Sequence, residues 1–227
     1  MISVVTIDGP SGTGKGTIAD HLAKRLGWHC LDSGALYRVL GLAAGRRGID
    51  LEDAAALAEL ASALDLKFQD AKVFLGGEDV SDLIRTETAG NAASRVAAHG
   101  PVRNRLLDLQ RSAARTPGLV ADGRDMGTVV FPHAQLKVFL TASPEERARR
   151  RYKQLKDKGL DVSLATLVTE IRERDERDMT RSVAPLTAPE ESLTVDTTSL
   201  TIAEALDQVL EAVRRVFPNL IDCEDAG

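Results

Sequence analysis

The residues best suited to chemistry lie in the first stretch of the chain, which reads ISVVTIDGPSGTGKGT over positions 2–17. Four glycines in this stretch lack Cβ atoms, so a loop there can wrap closely with its backbone N–H groups pointing inward. A helix that begins at about Lys15 adds the positive end of its dipole and further N–H groups. The spacing from Gly9 to Gly14 and Lys15 matches the GxxxxGK pattern of phosphate-binding loops. The sequence therefore predicts a phosphate cradle and favours a nucleoside triphosphate as its ligand.

Two side chains of this loop predict how phosphates and a metal ion are bound. Lys15 is a mobile cation that can reach the β- and γ-phosphates, and the Thr17 hydroxyl can reach Mg²⁺. The position after Lys15, where Ser or Thr is usual, is Gly16. A glycine-rich turn without function is the alternative, but the strand pattern before the loop and the helix pattern after it favour phosphate binding. The predicted triphosphate-binding residues are Gly9, Pro10, Ser11, Gly12, Thr13, Gly14, Lys15, Gly16 and Thr17.

A second group of polar residues, VADGRDMGT at positions 120–128, follows an apolar run. Asp122 stands where a carboxylate beside a phosphate loop can bind Mg²⁺ through water. Arg124 and Asp125 then add a guanidinium group and a second carboxylate. An ordinary Asp-Gly turn with a surface ion pair is the alternative interpretation.

A third group, LDSGALYR, occupies positions 31–38. Asp32 or Ser33 can cap a following helix, and Tyr37 and Arg38 then lie about one turn inside that helix. Capping explains the first two residues. An arginine at the mouth of a crevice is better explained by an anionic ligand.

Two basic segments follow. Positions 145–156, EERARRRYKQLK, carry six basic side chains after two leading acids, which suits a mobile flap that closes over a triphosphate. Positions 171–181, IRERDERDMTR, interleave acids and bases, a pattern that surface ion pairing also explains. At about 100° per residue, one helix face nevertheless collects three arginines around one acid, and such a face can bind a phosphate and a ribose. Its members are Arg174, Arg177, Asp178 and Arg181.

Five short apolar runs predict the buried strands that position these residues. They span residues 2–7, 28–31, 119–121, 136–140 and 193–195. Helical patterns alternate with them, at residues 15–26, 101–114, 144–156, 163–179 and 201–217. The alternation predicts an α/β fold, a three-layer sandwich around a five-stranded parallel sheet. Because ligands bind at the carboxyl ends of parallel strands, we expect the phosphate loop, Asp32 and Asp122 to converge on one crevice.

Residues 52–98 interrupt this alternation. An alanine-rich helix over residues 51–64 is predicted there, followed by a small antiparallel hairpin near Gly76 and Gly77. The segment either extends one wall of the crevice or makes no ligand contact.

Composition argues against several functional classes. The 227 residues carry a net charge of −5 and 43% hydrophobic residues, which is ordinary for a soluble globular protein and unlike a nucleic-acid or membrane binder. No apolar run approaches the roughly 20 residues of a membrane span, and no signal-peptide pattern opens the chain. Cys30 and Cys223 lack a CxxC partner, which favours reduced thiols and a cytoplasmic location. The four histidines lack metal-ligand spacing.

The chain resembles bacterial cytidylate kinases (CMP kinases), a family of P-loop nucleoside monophosphate kinases. The resemblance spans nearly the whole chain, in order, and rests on GPSGTGKGT, LDSGALYR, ADGRDMGTVVFP, EERARRR and ERDERD…RSVAPL. It implies transfer of the ATP γ-phosphoryl group to CMP or dCMP in pyrimidine nucleotide metabolism, with Mg²⁺ bound by Thr17 and, through water, by Asp122. Monophosphate kinases commonly use the ending GKGT, which accounts for Gly16.

The resemblance also implies a role for each matched residue. Lys15, Arg124 and Arg181 would be catalytic, and Arg150 and Arg151 would belong to a lid that covers ATP. The acceptor nucleotide would be bound by Ser33, Tyr37, Arg38, Ser94, Arg103, Arg124, Asp125, Arg174, Asp178 and Arg181. Within that set, Arg174 and Asp178 match residues that hold the pentose, and Ser94, Arg103 and Asp125 match residues that read the cytosine. The chemistry agrees, because a carboxylate accepts a hydrogen bond from the cytosine amino group and a guanidinium donates to the ring acceptors.

The same resemblance implies one monomeric P-loop kinase domain over residues 1–227. Its core would comprise residues 1–32, 99–144 and 182–227, with an acceptor-binding region at 33–98 and a lid with flanking helices at 145–181. Three alternatives differ in function. They are a kinase of this architecture that acts on AMP, UMP or a non-nucleotide acceptor, an ATP-binding regulatory switch, and a nucleic-acid-binding ATPase.

Overall fold

The computed structural model describes residues 2–69, 72–157 and 159–220. The chain divides into two compact units. The first unit comprises residues 1–31, 113–180 and 184–227, and the second comprises residues 32–112 and 181–183. No helix in the described part of the chain is long and apolar enough to span a membrane.

Strands and helices alternate along most of the chain. The strands are β1 (Ser3–Asp8), β2 (His29–Asp32), β3 (Leu66–Gln69), β4 (Lys72–Leu75), β5 (Glu78–Asp79), β6 (Gly118–Gly123), β7 (Leu136–Thr141) and β8 (Leu193–Asp196). The helices are α1 (Lys15–Leu26), α2 (Ser33–Arg47), α3 (Ala54–Ser62), α4 (Glu87–Val96), α5 (Gly100–Arg111), α6 (Pro144–Asp157), α7 (Leu164–Thr180) and α8 (Ile202–Val216). Short helical turns cover Leu83–Arg85, Met126–Val130 and Pro218–Leu220.

The central sheet has five strands in the order β2-β6-β1-β7-β8. β1 pairs in parallel with both β6 and β7, and β7 pairs in parallel with β8. All five predicted strands are present, so the predicted α/β fold with a parallel sheet is confirmed. The register pairs Asp8 with Gly123, which brings the loops that follow β1 and β6 to the same edge of the sheet.

Burial on both faces explains why the strands are uniformly apolar. Val5, Ile7 and Val138 are fully buried and pack with apolar residues of α1 and α8. α8 begins with a capping box, in which the Thr201 hydroxyl accepts from the Glu204 N–H and the Glu204 carboxylate accepts from the Thr201 N–H. This core fixes the ends of the strands that carry the candidate site.

In the second unit, α2 packs against α4 and α3 packs against α5. A Cβ on Gly41 of α2 would lie 2.8 Å from the Ala92 Cβ of α4, so the close contact between these helices requires a glycine. α5 lies in this unit, although the predicted acceptor-binding region ends at residue 98. The predicted alanine-rich helix is present as α3, and it is shorter at both ends than the predicted 51–64.

The antiparallel insertion is larger than predicted. β3, β4 and β5 form a three-stranded antiparallel sheet, where the sequence predicted a two-stranded hairpin. Gly76 and Gly77 form the turn between β4 and β5 with φ of 57° and 81°, values that favour glycine. Cys30 is exposed on β2, and Cys223 lies outside the described residues.

Candidate active site

The phosphate loop leaves β1 in a conformation that only glycines tolerate well. Gly9, Gly12 and Gly14 have φ of 147°, 82° and 92°. A Cβ on Gly9 would stand 2.0 Å from the backbone oxygen of Leu140, so any side chain at this position would collide with β7. Gly9 is therefore required by both backbone conformation and space, and backbone conformation favours glycine at positions 12 and 14.

Lys15 begins α1 directly after this loop, as predicted. Its side chain is largely buried, at 8% exposure, and its Nζ donates to the backbone oxygen of Pro10 at 2.9 Å. The Thr13 hydroxyl donates to the same oxygen at 3.2 Å. The helix N-cap is Gly14, which has no side chain to occupy the N–H groups of the first turn. The arrangement places a cation and a helix N-terminus together, and both attract phosphate.

Asp122 approaches this helix start from the end of β6. Its Oδ2 atom lies 3.1 Å from the point where a Cβ would stand on Gly16. Thr17, the next residue, is exposed. Among the described residues, no three His, Cys, Asp or Glu side chains gather into a metal site. One carboxylate beside the helix start that follows a phosphate loop fits Mg²⁺, which is usually held by one or two carboxylates together with substrate phosphates.

Asp8, the last residue of β1, is a buried carboxylate that no sequence pattern above identifies. It is 1% exposed and accepts hydrogen bonds from the N–H groups of Met126 and Gly127, each at 2.8 Å. Burial raises the pKa of Asp8 to about 7, the two N–H groups oppose this rise, and the nearby carboxylates of Asp125 and Asp122 add to it.

Arg124 and Asp178, two predicted acceptor residues, lie in contact within the first unit. The Arg124 Nε donates to Asp178 Oδ2 at 3.1 Å, and its Nη1 donates to the Gly123 oxygen at 3.2 Å. Both side chains are mostly buried, at 15% and 5% exposure. Asp125 is buried next to Arg124. The structure therefore brings the predicted residues of β6 and α7 together.

Arg174 links α7 to the phosphate loop. It is buried at 8% exposure, and its Nη1 lies 3.4 Å from the Ser11 hydroxyl. The sequence assigned Arg174 to the acceptor pentose and Ser11 to the triphosphate, and the structure places them side by side.

The basic helix α6 contacts the phosphate loop through Arg147, which the sequence did not select. Arg147 is 2% exposed and forms a bidentate ion pair with Asp175 of α7. Its Nη1 also donates to the Ser11 oxygen at 3.1 Å, and its Nε donates to the Ala142 oxygen at 2.9 Å. Six basic residues share this segment, and composition does not reveal which one is buried.

The two arginines predicted for the lid differ in their surroundings. Arg150 donates to the Thr13 oxygen at 3.5 Å and to the Thr197 hydroxyl at 3.2 Å, so it lies against the phosphate loop. Arg151 donates to Gln154 at 3.3 Å on its own helix. Their predicted contacts with ATP stay predictions.

In the second unit, Asp32 is the N-cap of α2 and accepts from the Ala35 N–H at 3.0 Å. Ser33 is buried and donates to Gln110 Oε1 at 2.7 Å. Gln110 is 1% exposed and was not selected from the sequence. Arg38 lies one turn into α2, with its Nη1 3.8 Å from Asp32 Oδ2 and its side chain one quarter exposed.

The remaining predicted acceptor residues also lie in the second unit. The Arg103 guanidinium stacks over the Tyr37 ring at 5.7 Å, and its Nη1 donates to the Ala97 oxygen at 3.3 Å. Ser94 is buried on α4. Arg181 is half-buried and belongs to the short 181–183 stretch. The acceptor roles of these residues stay predictions.

Comparison with known proteins decides the family. The cytidylate kinase family model matches residues 5–215. The chain belongs to the cytidylate kinase family. A cytidylate kinase from Aeromonas salmonicida is 61% identical over 214 residues, covering 92% of this chain and 93% of that protein. A cytidylate kinase from Cupriavidus necator is 54% identical over 219 residues, covering 96% of this chain and 99% of that protein. The resemblance predicted from the motifs is confirmed.

A solved structure shares the fold at low sequence identity. The crystal structure of an uncharacterized protein from Eubacterium ventriosum aligns with a TM-score of 0.53 and 12% identity, covering 95% of this chain and 99% of that chain. At that identity the likeness shows the α/β fold alone. The cytidylate kinase family assignment rests on the sequence relatives.

Proposed function

We propose that the chain transfers the γ-phosphoryl group of ATP to CMP or dCMP, giving ADP and CDP or dCDP in pyrimidine nucleotide metabolism. Membership of the cytidylate kinase family supports the acceptor. The single structural observation that carries the proposal is the phosphate loop, in which three glycines with positive φ lead directly into Lys15 and a helix N-terminus. This arrangement supports ATP as the phosphoryl donor.

For the donor, we assign residues 9–17 to the triphosphate of ATP. The Lys15 ammonium neutralises charge on the β- and γ-phosphates, and the N–H groups at the start of α1 donate to their oxygens. In this proposal Lys15 releases the Pro10 oxygen when phosphate arrives, because a phosphate oxygen is a stronger acceptor than a carbonyl. Arg150 and Arg151 of α6 supply further positive charge above ATP.

For the acceptor, we assign each of four residues to the part of CMP that its side chain can bind. Arg124 binds the phosphate, and Asp125 accepts a hydrogen bond from the cytosine amino group. Arg174 and Asp178 bind the pentose. The other residues assigned to the acceptor are Ser33, Tyr37, Arg38, Ser94, Arg103 and Arg181.

The chemistry requires positioning and charge neutralisation and no general base. The attacking oxygen belongs to the CMP phosphate, which is already anionic near neutral pH. Lys15, Arg124 and Arg181 are the proposed catalytic residues, because cations at the transferring group stabilise the charge of the transition state. Exclusion of water is required as well, since an open site would hydrolyse ATP.

Thr17 and Asp122 are the proposed Mg²⁺-binding residues, with Asp122 acting through water. When bound, the ion supplies positive charge to the phosphate oxygens. We further propose that the chain acts as a monomer in the cytoplasm. Its two cysteines, Cys30 and Cys223, which lack a CxxC partner, agree with a reducing compartment.

An acceptor panel tests the proposal. Purified protein is incubated with ATP and Mg²⁺ and with CMP, dCMP, UMP or AMP in separate reactions, and the products are identified by ³¹P NMR. We expect CDP to form in the CMP reaction and dCDP in the dCMP reaction, each with an equal amount of ADP. Faster phosphorylation of AMP than of CMP would instead support a related kinase with another acceptor.

A further inference from the structure

Asp8 connects the loop assigned to ATP with the turn that follows Arg124 and Asp125, the residues assigned to CMP. It ends β1 directly before Gly9, so in sequence it belongs to the ATP-binding loop. Its carboxylate, however, accepts hydrogen bonds from the N–H groups of Met126 and Gly127, 118 and 119 residues away. Both bonds are 2.8 Å long and lie in the buried interior of the first unit.

Those two N–H groups directly follow the residues assigned to the acceptor. Arg124 and Asp125 immediately precede Met126 in the chain. The backbone oxygen of Asp125 accepts from the N–H groups of Val129 at 2.9 Å and Val130 at 3.2 Å, which closes the helical turn at Met126–Val130. The backbone of Asp125 is therefore fixed by this turn, and the turn itself is held to the sheet by Asp8.

We propose that Asp8 is a positioning residue for the acceptor nucleotide, which holds Arg124 and Asp125 in their binding positions through the Met126 and Gly127 N–H groups. The inference rests on the proposed function, because it uses the acceptor roles of Arg124 and Asp125. Asp8 itself does not contact the substrate. Because Asp8 precedes Gly9 in the chain, a substitution there could be expected to weaken ATP binding. Its hydrogen bonds to the turn after Asp125 lead us to expect weaker CMP binding instead.

The variant Asp8→Asn tests this inference. It keeps the size of the side chain, but it offers one acceptor oxygen where two N–H groups need one each, and its amide NH₂ faces the second N–H. We expect the KM for CMP to rise at least about tenfold, because one of the two buried N–H donors loses its acceptor oxygen. The KM for ATP should change less than about threefold. The control Asp20→Asn, on α1 with a 47% exposed carboxylate, should change neither constant.

Equal increases in both KM values, or no change in either, would overturn the inference. The failure of the proposed function would be distinguishable, because the unaltered protein would then form no ADP in response to CMP.

If Asp8→Asn does not fold, amide hydrogen exchange of the unaltered protein tests the inference in place of the variant. We expect the Met126 and Gly127 amides to exchange slowly, and slower still with CMP than with ATP. Exchange as fast as that of exposed loop amides, or equal slowing by both nucleotides, would contradict the role.

Discussion

Asp122 Oδ2 lies 3.1 Å from the point where a Cβ would stand on Gly16. This proximity gives a physical reason for the glycine at the loop position where Ser or Thr is more usual. A larger residue would displace a carboxylate that we assign to Mg²⁺. Gly16 is thus explained by its neighbour on β6, since its φ lies outside the range that favours glycine.

Gly16→Ala should therefore impair metal use more than folding. The added methyl group pushes the Asp122 carboxylate away, and we expect kcat/KM to fall by about tenfold, with a higher Mg²⁺ concentration needed for half-maximal rate. A Mg²⁺ titration of ADP formation measures both quantities. Gly45→Ala is the matched control, because a Cβ on this α2 residue meets no atom within 4 Å. Equal Mg²⁺ requirements in the two variants would contradict the explanation.

Lys15→Ala should lower kcat by about a hundredfold or more, because it removes a cation from the transferring phosphoryl group. Steady-state rates at saturating ATP and CMP measure the loss. Lys24→Ala, near the other end of the same helix and with a 71% exposed side chain, should keep normal turnover. Near-normal turnover of Lys15→Ala would refute the catalytic role.

Asp125→Ala should weaken CMP much more than ATP. Removal of this carboxylate deletes the proposed acceptor for the cytosine amino group, and we expect the KM for CMP to rise by about tenfold to a hundredfold. Initial rates with each nucleotide varied in turn give the two KM values. Equal losses for CMP and ATP would contradict its assignment to the base.

The Arg147–Asp175 pair should matter for stability. Arg147→Met leaves the Asp175 carboxylate without its bidentate partner in a mostly buried position, which we expect to lower the free energy of unfolding by about 3 kcal/mol. Arg149→Met, on the same helix with a 69% exposed side chain, should cost less than about 0.5 kcal/mol. Urea denaturation of the two variants provides the comparison. Similar losses would show that the buried pair contributes little.

Asp8 should also make stability depend on pH. Its pKa is raised by burial to about 7 in the folded protein from its ordinary value of 3.8, so the folded state binds this proton more tightly. The stabilising contribution is complete below about pH 4 and is lost as the pH rises through about 7. The free energy of unfolding of the unaltered protein, minus that of Asp8→Asn, should therefore decrease as the pH rises from about 5 to about 8. Urea denaturation of both proteins across this pH range measures this change. A difference in free energy of unfolding that does not vary with pH would contradict the raised pKa.

Local patterns were sufficient to predict the strands and the phosphate loop. The five strands were identifiable because both faces of the sheet are covered, which makes each strand uniformly apolar. The loop was identifiable because its glycine conformations and Lys15 belong to one short stretch. Both predictions depend on residues that are neighbours in sequence.

Asp8, Gln110 and Arg147 were missed because their partners are distant in sequence. Asp8 binds residues 118 and 119 positions away, and Gln110 binds Ser33, 77 positions away. Arg147 resembles the arginines that surround it, and it is buried by tertiary contacts with Asp175 of α7 and with the phosphate loop. No single-sequence pattern separates such residues from ordinary polar ones. A buried polar residue at the end of a strand, as Asp8 is, is the nearest available signal.

The most direct test of the central claim is the initial rate of ADP formation from ATP and Mg²⁺, measured with and without a monophosphate acceptor. We predict a rate that is negligible without an acceptor, rises strongly and saturably with CMP or dCMP, and rises much less with AMP. An ADP formation rate that is the same with and without CMP would contradict phosphoryl transfer between two bound nucleotides.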